Sequence, residues 1–365
     1  MAATRKTAAT RKTAAVKYFS LRPIKKMGRT FNFIFGGRGI GKTFNSIREC
    51  REDSEKFIYM RRTQNECELI CDYSDDMELS PFAKINHETQ KDENAMQPRF
   101  FEVHKANKNV WSVYDRVSAE NETDIEMVGA CMALSTVANL RGFDADWADV
   151  LLLDEFVPER HVKKIGKGDL EGTAILNAYE TINRDREMKG RKPLQCFFMS
   201  NANDISHPLL SILGIIPIME RMRIRGTTFS DFPERSMTIT LYDDAEFKTA
   251  KAQTALYKLT KGTEFYQMAI ENNFVYNDFS FIKSMNLIEY RPWCKIGKVT
   301  IYKHKSSGLF YVSEHDMKCK TYADNEHGRA SFMLDRGRTI YAAFINGNLF
   351  FENYELKKYI MELII

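Results

Sequence analysis

Residues 31–43 read Phe-Asn-Phe-Ile-Phe-Gly-Gly-Arg-Gly-Ile-Gly-Lys-Thr. An apolar run that breaks into four glycines and then a lysine and a threonine leaves few options for the fold. Phe31, Phe33, Ile34 and Phe35 fit a buried strand, and Gly36, Gly37, Gly39 and Gly41 let the backbone turn with its N–H groups facing inward. A helix is predicted over residues 44–52, with its positive end at the loop. The spacing Gly36-x-x-x-x-Gly41-Lys42-Thr43 is that of a phosphate-binding loop. In such a loop the amides from Gly36 through Arg38, Ile40 and Thr43 cradle phosphates, Lys42 reaches the outer ones and the Thr43 hydroxyl ligates Mg2+. The alternative is a chance glycine turn, and the order of strand, loop and helix start argues against it.

A second feature belongs with the first. Val150-Leu151-Leu152-Leu153-Asp154-Glu155 describes a central strand whose tip carries two carboxylates into the same crevice. Adjacent strand residues point to opposite sides, so the two acids have different roles. Asp154 is expected at the metal, and Glu155 as the base that takes a proton from the attacking water. Residues 57–60 read as another buried strand, ending in Arg61 and Arg62. These arginines sit at the crevice end of the strand, with ordinary surface charge as the preferred account. Residues 196–199 form a further strand tipped by Ser200 and Asn201, a polar pair able to sense the terminal phosphate or to cap the turn. A helix is expected over residues 176–187. Strands alternating with helices predict a parallel sheet with covering helices. Residues 64–128 are poorly periodic and yield only peripheral strands near 100–103 and 109–114.

At 365 residues the chain exceeds one typical core, so two domains and a connector are expected. The longest apolar stretch, residues 209–219, is broken by Gly214 and Pro217 and is too short to span a bilayer. No secretory leader is read, and cytosolic residence is expected. Seven cysteines fit reduced thiols, with Cys67 and Cys71 read as buried small side chains rather than a zinc site. Net charge is +4, yet residues 1–30 hold nine Lys or Arg and no acid, which leaves 44 basic and 49 acidic residues elsewhere. The first fifteen residues repeat Ala-Ala-Thr-Arg-Lys-Thr. With no large apolar side chain this arm cannot bury itself, and a solvated tail is preferred over a nucleic-acid arm.

With these motifs in hand, the chain resembles the DNA-packaging ATPases of phi29-like tailed bacteriophages. Residues 33–43, 57–62, 152–156, 183–187, 199–202 and 262–266 carry the resemblance, which runs from about Arg29 to the C-terminus. It implies a P-loop NTPase of the additional-strand (ASCE) type, with the strand ending at Ser200 between the phosphate-loop strand and the Asp154 strand. It also implies a homo-oligomeric ring, a pentamer by resemblance, on the portal protein of an empty capsid in the host bacterial cytoplasm, with a packaging RNA as an optional component. Arg184 falls where the family supplies an arginine finger to the neighbouring subunit's ATP, and Arg186 is a substitute for it. Arg141 falls where the family has a basic residue that reaches the neighbour's nucleotide. A guanidinium supplied in trans makes hydrolysis depend on the ring.

The domains expected are a basic tail over 1–28, the ATPase domain over 29–241, a linker over 242–261 and a C-terminal domain over 262–365. Residues 298–312 alternate in polarity, with a hairpin turn at Ser306-Ser307-Gly308. By resemblance this last domain is a small α+β relative of ribonuclease H-like nucleases. Its leading strand is followed by Lys303, His304 and Lys305 instead of acids, so cleavage chemistry is expected to be absent. Lys283, Arg291, Lys295, Lys298, Lys303 and Lys305, interleaved with Tyr290, Trp293 and Tyr302, are the expected contacts to double-stranded DNA, with a solvated strand face over an aromatic core as the alternative. The function expected is an ATP-hydrolysing motor that moves double-stranded viral DNA into a preformed capsid with ATP and Mg2+. Its rivals are a helicase or recombination-type ATPase, and a non-catalytic nucleotide-binding assembly factor.

Overall fold

The computed structural model describes residues 18–76, 79–91, 99–117, 124–140, 144–158, 170–201, 205, 207–263, 265–266, 270 and 281–364. The repeat arm and Arg141 lie outside the described residues. A short helix, α1 (Arg22–Lys25), precedes β1 (Phe31–Gly36), α2 (Lys42–Glu52) and β2 (Phe57–Arg61). Then come α3 (Gln64–Cys71), α4 (Pro81–Lys91), β3 (Arg99–Lys105), β4 (Val110–Val117), β5 (Ile125–Ala133) and β6 (Val150–Asp154). α5 (Leu170–Asn183), β7 (Gln195–Ser200), α6 (Pro208–Ile212), α7 (Ile216–Arg225), β8 (Phe229–Phe232) and β9 (Met237–Tyr242) complete the large unit.

Its nine strands lie in the order β3-β4-β5-β2-β6-β7-β1-β9-β8. The central run from β5 to β9 is parallel. β7 therefore lies between β1 and β6, and the carboxyl ends of β1, β6 and β7 open onto one edge. Alternation along β6 explains why the strand has no polar face: Leu151 and Leu153 enter the core on one side of the sheet, Val150 and Leu152 the core on the other. A strand covered on both faces reads as a continuous apolar run. Antiparallel strands close each edge, β3 and β4 on β5, and β8 on β9.

The tail boundary expected at residue 28 falls inside this unit. Phe19, Leu21 and Ile24 are buried, and Glu49 of α2 accepts the Leu21 N–H at 2.7 Å. Three apolar side chains at suitable spacing outweigh the basic composition around them. β5 pairs with β2 through residues 129–133, just past the poorly periodic stretch 64–128.

Two helices, α8 (Ala245–Ala252) and α9 (Ala255–Leu259), occupy the expected linker. The C-terminal unit comprises β10 (Tyr290–Ile296), β11 (Val299–His304), β12 (Phe310–Ser313), β13 (Lys320–Tyr322), α10 (Glu326–Phe332), α11 (Arg338–Ile345), β14 (Leu349–Phe351) and α12 (Tyr354–Ile364). β11 and β12 form the antiparallel hairpin that the alternating pattern predicts, β10 extends it to a meander, and β13 lies parallel to β10 and β14 parallel to β12. Among the described residues no helix is long and apolar enough to cross a membrane.

The two units meet where α12 begins. Glu220 of α7 accepts the Tyr354 N–H at 2.8 Å, and the Ser211 hydroxyl of α6 donates to Glu355. Burial pushes the Glu220 carboxyl up to about 7; the Tyr354 N–H opposes this and the Glu355 charge adds to it. A carboxyl whose folded pKa is raised contributes stability that is full below its unfolded value near 4.5 and is lost as pH rises towards 7. Glu220→Gln is expected to remove that loss, on the order of 2 kcal/mol, so that melting temperature changes less between pH 5 and pH 8 than in the wild type.

Candidate functional site

The loop between β1 and α2 turns at two left-handed glycines, Gly39 at φ +78° and Gly41 at φ +90°. A Cβ on Gly41 would also come within 2.9 Å of Asn45 Nδ2, so this position demands glycine on two counts. Lys42, the first residue of α2, points back into the loop. Its Nζ donates to the carbonyls of Gly36 at 3.0 Å and Gly37 at 3.1 Å, and to Asn201 Oδ1 at 2.9 Å. Burial pulls this ammonium down to about 8, against the attraction of Asp154 and Glu155. Three oxygens hold the lysine where an incoming anion would replace part of its shell.

Asp154 ends β6 almost wholly buried. Its Oδ2 accepts from Thr43 Oγ1 at 2.5 Å, Tyr59 OH at 2.9 Å and Arg61 Nη1 at 3.1 Å. Burial and then the Asp154 charge raise the Tyr59 pKa, which keeps the phenol a donor. Burial works against the Arg61 charge, but Tyr59, Asp154 and Glu155 together outweigh it and raise its pKa. Glu155 diverges from Asp154, half-exposed, and takes the other arm of Arg61 at 2.7 Å. It has φ +53°, a left-handed conformation that a non-glycine residue keeps only where its surroundings enforce it.

These groups share one cavity of about 990 Å³, lined by Arg38, Gly39, Lys42, Thr43, Asp154, Glu155 and Asn201, with Tyr18 at one side and Lys84, His87 and Glu88 of α4 at another. Thr43 and Asp154 offer hard oxygen donors side by side, a pair suited to Mg2+, which binds through few protein oxygens and keeps waters. Gly37 and Ile40 line a second, smaller cavity beside Tyr242 and the linker residues Phe247 and Lys251. Lys251 donates to the Arg38 carbonyl, so the linker reaches the loop.

Two expectations are corrected here. Arg61 and Arg62 are not surface charges: Arg61 binds both acids, and Arg62 is buried with its Nε on Glu171 Oε1 at 2.5 Å. Their position at the carboxyl end of a parallel strand was the available signal. Arg186 cannot stand in for Arg184. It is buried, with Nη2 donating to the Ala145 carbonyl at 2.7 Å, just before β6 begins. Arg184 is exposed, with φ +47°, in the left-handed position that ends α5. Asn183 beside it accepts the Leu194 N–H at 2.8 Å next to the start of β7, so Arg184 lies at the sheet edge opposite its own glycine loop.

In the C-terminal unit the six basic residues are divided. Arg291 stands opposite Lys303, but a register shift between Pro292 and Cys294 puts Lys295 on the other face, where it pairs with Asp316 at 2.7 Å. Lys305 donates to the Ile288 carbonyl at 2.7 Å, Lys283 lies over the Phe350 ring, and Lys298 is exposed in the β10–β11 turn. Tyr290 and Tyr302 are buried with Tyr311, so these rings form core and are closed to base stacking. Trp293 is half-buried against Phe310 and Arg336.

The arrangement defines an α/β protein with a glycine-loop site at the carboxyl edge of a parallel sheet. The chain belongs to the Podovirus DNA encapsidation protein (Gp16) family, whose model matches residues 120–365. Among its relatives, the DNA packaging protein of Bacillus phage B103 is 25% identical over 350 residues, 89% of this chain and 93% of that protein. The DNA packaging protein of Bacillus phage phi29 is 21% identical over 368 residues, 95% of this chain and 96% of the other. The fold is similar to a chain in the bacteriophage Phi-29 viral genome packaging motor assembly, with a TM-score of 0.63 at 20% identity, covering 95% of this chain and 98% of that one.

Removing Arg61 would leave the buried Asp154 charge with only the neutral donors Thr43, Tyr59 and the Glu155 N–H among its hydrogen-bond partners. Arg61→Ala is expected to destabilise the large unit by about 3 kcal/mol, read as a lower urea midpoint with an unchanged slope.

Proposed function

We propose that this chain is the ATP-hydrolysing subunit of a motor that drives double-stranded viral DNA through the portal protein into a preformed capsid. The observation that carries the reading is the convergence of Lys42, Thr43, Asp154 and Asn201 on one cavity large enough for a nucleotide. β7 between β1 and β6 is the strand order expected of the additional-strand P-loop class. Family membership and the packaging proteins among its relatives supply the DNA and the capsid.

In this reading the loop amides and Lys42 hold the phosphates, and Asn201 orients the lysine towards them. Thr43 and Asp154 hold Mg2+, which neutralises charge on the phosphates when bound. Glu155 takes the proton from the attacking water, and to do so it must leave Arg61, whose hydrogen bond withholds it. Arg184 is too far along the sheet to serve its own loop, and its strained, exposed position suits delivery to the site of a neighbouring copy in a ring. Arg141 has the second trans role by resemblance alone. The exposed Lys283, Arg291, Lys298 and Lys305 remain the proposed phosphate contacts, which hold DNA without reading its sequence. β11 ends in Lys303 and His304 with no acid, and we propose that the domain is nuclease-like in descent and holds nucleic acid without cutting it.

Glu155→Gln is expected to bind a fluorescent ATP analogue within about threefold of wild type while steady-state turnover falls by at least about 100-fold. Lys42→Ala should lose binding itself, and a wild-type chain that ignores adenine nucleotides would sink the reading. Arg184→Ala subunits mixed with wild type are expected to depress DNA-stimulated turnover beyond their mole fraction. A strictly proportional fall would remove the trans role.

A further inference from the structure

Directly behind the loop site lies a set of buried charges that the proposed chemistry leaves unused. Glu171, in the first turn of α5, is held by the Arg62 guanidinium, and His207 Nε2 stands 3.9 Å from the same carboxylate oxygen. His207 Nδ1 accepts the Leu209 N–H at 3.2 Å, so its proton is on the nitrogen that faces Glu171. All three residues are almost wholly buried. Although burial opposes it, His207 and Arg62 hold the Glu171 carboxyl down to about 2, so it stays ionised. Burying such a group costs several kcal/mol per ion, and apolar side chains would pack there at no loss of stability. A specific geometric role accounts for its presence.

The sequence neighbours of the triad define that role. Arg62 directly follows Arg61, which holds both site acids. The His207 ring packs edge-on against Phe156 at 5.3 Å, and Phe156 directly follows Glu155. His207 also caps α6, the first helix after Asn201. One carboxylate thus ties the ends of β2 and β6 to the helix that follows β7. α6 in turn carries Ser211, which donates to Glu355 of α12, beside the contact of Glu220 with the Tyr354 N–H. A path of hydrogen bonds, the 3.9 Å approach of His207 to Glu171, ring packing and one short helix connects the loop site to the C-terminal unit.

We propose that Glu171 is a positioning residue that couples the nucleotide site to the C-terminal domain, by holding the β2 and β6 ends and the start of α6 as one body. This rests on the nucleotide reading above. Coupling of this kind requires an element that nucleotide biases and α12 senses.

Hydrogen exchange on the full chain tests it, with and without a non-hydrolysable ATP analogue. In wild type, bound analogue is expected to change exchange of the amides at residues 354–356 by about tenfold, within the usual range of coupling between sites. Glu171→Gln keeps the shape and removes the charge. It is expected to bind a fluorescent ATP analogue within about threefold of wild type while the change at 354–356 disappears. A purely structural role would instead lower melting temperature and leave that change in place. If Glu171→Gln does not fold, Ser211→Ala decides, since it removes the hydroxyl that donates to Glu355 and so severs the far end of the same path without touching the triad. A folded variant that keeps the full change overturns the proposal, as does a wild-type chain that binds nucleotide with no change at 354–356. A wild-type chain that binds no nucleotide overturns the nucleotide reading and this proposal together.

Discussion

A carboxylate at the end of an apolar strand, 1% exposed, is a liability unless its surroundings satisfy it. Asp154 is satisfied by a hydroxyl from α2 and by a phenol and a guanidinium from β2, with the Glu155 N–H on its other oxygen at 3.1 Å. No single neighbour could do this. β2 must lie beside β6, and the loop after β1 must bring α2 over the same edge, which is what the order β2-β6-β7-β1 achieves. The strand order of the sheet and the solvation of one acid are therefore one constraint seen from two sides.

The same logic explains where the backbone is strained. Glu155 and Arg184 both adopt the left-handed conformation without being glycine. The first follows the buried acid directly, where the strand must end and the next side chain must turn away. The second ends α5 against the start of β7. Strain of this sort persists only where packing over-determines it; Ser54, Ser236 and Phe281 share the left-handed conformation, and Glu155 and Arg184 are the two proposed for opposite ends of a shared site.

Much of this was legible before any coordinates. Phe33 to Thr43 specify strand, loop and helix because glycine spacing and apolar runs are local signals. Val150 to Asp154 and Cys196 to Ser200 declare themselves as central strands for the same reason. The pairings of Arg61, Arg62 and Arg186 were not legible, since an arginine whose carboxylate or carbonyl partner is distant in sequence looks like one facing water. Tyr290 and Tyr302 look like a stacking platform beside lysines, yet cross-strand pairing turns them inward towards Tyr311. Residues 18–28 show the converse: basic composition suggested a loose tail, while Phe19, Leu21 and Ile24 pack against α2.

The sequence alone determined the elements and the chemistry at their tips, because propensity, periodicity and loop spacing act over a few residues. Tertiary structure alone decided the partners: which guanidinium meets which carboxylate, which aromatic ring is core, and that Glu171 lies between Arg62 and His207. The two Glu171 pairings join residues 109 and 36 positions apart, and only the crossing of strands and helices fixes which of many equivalent charges come together.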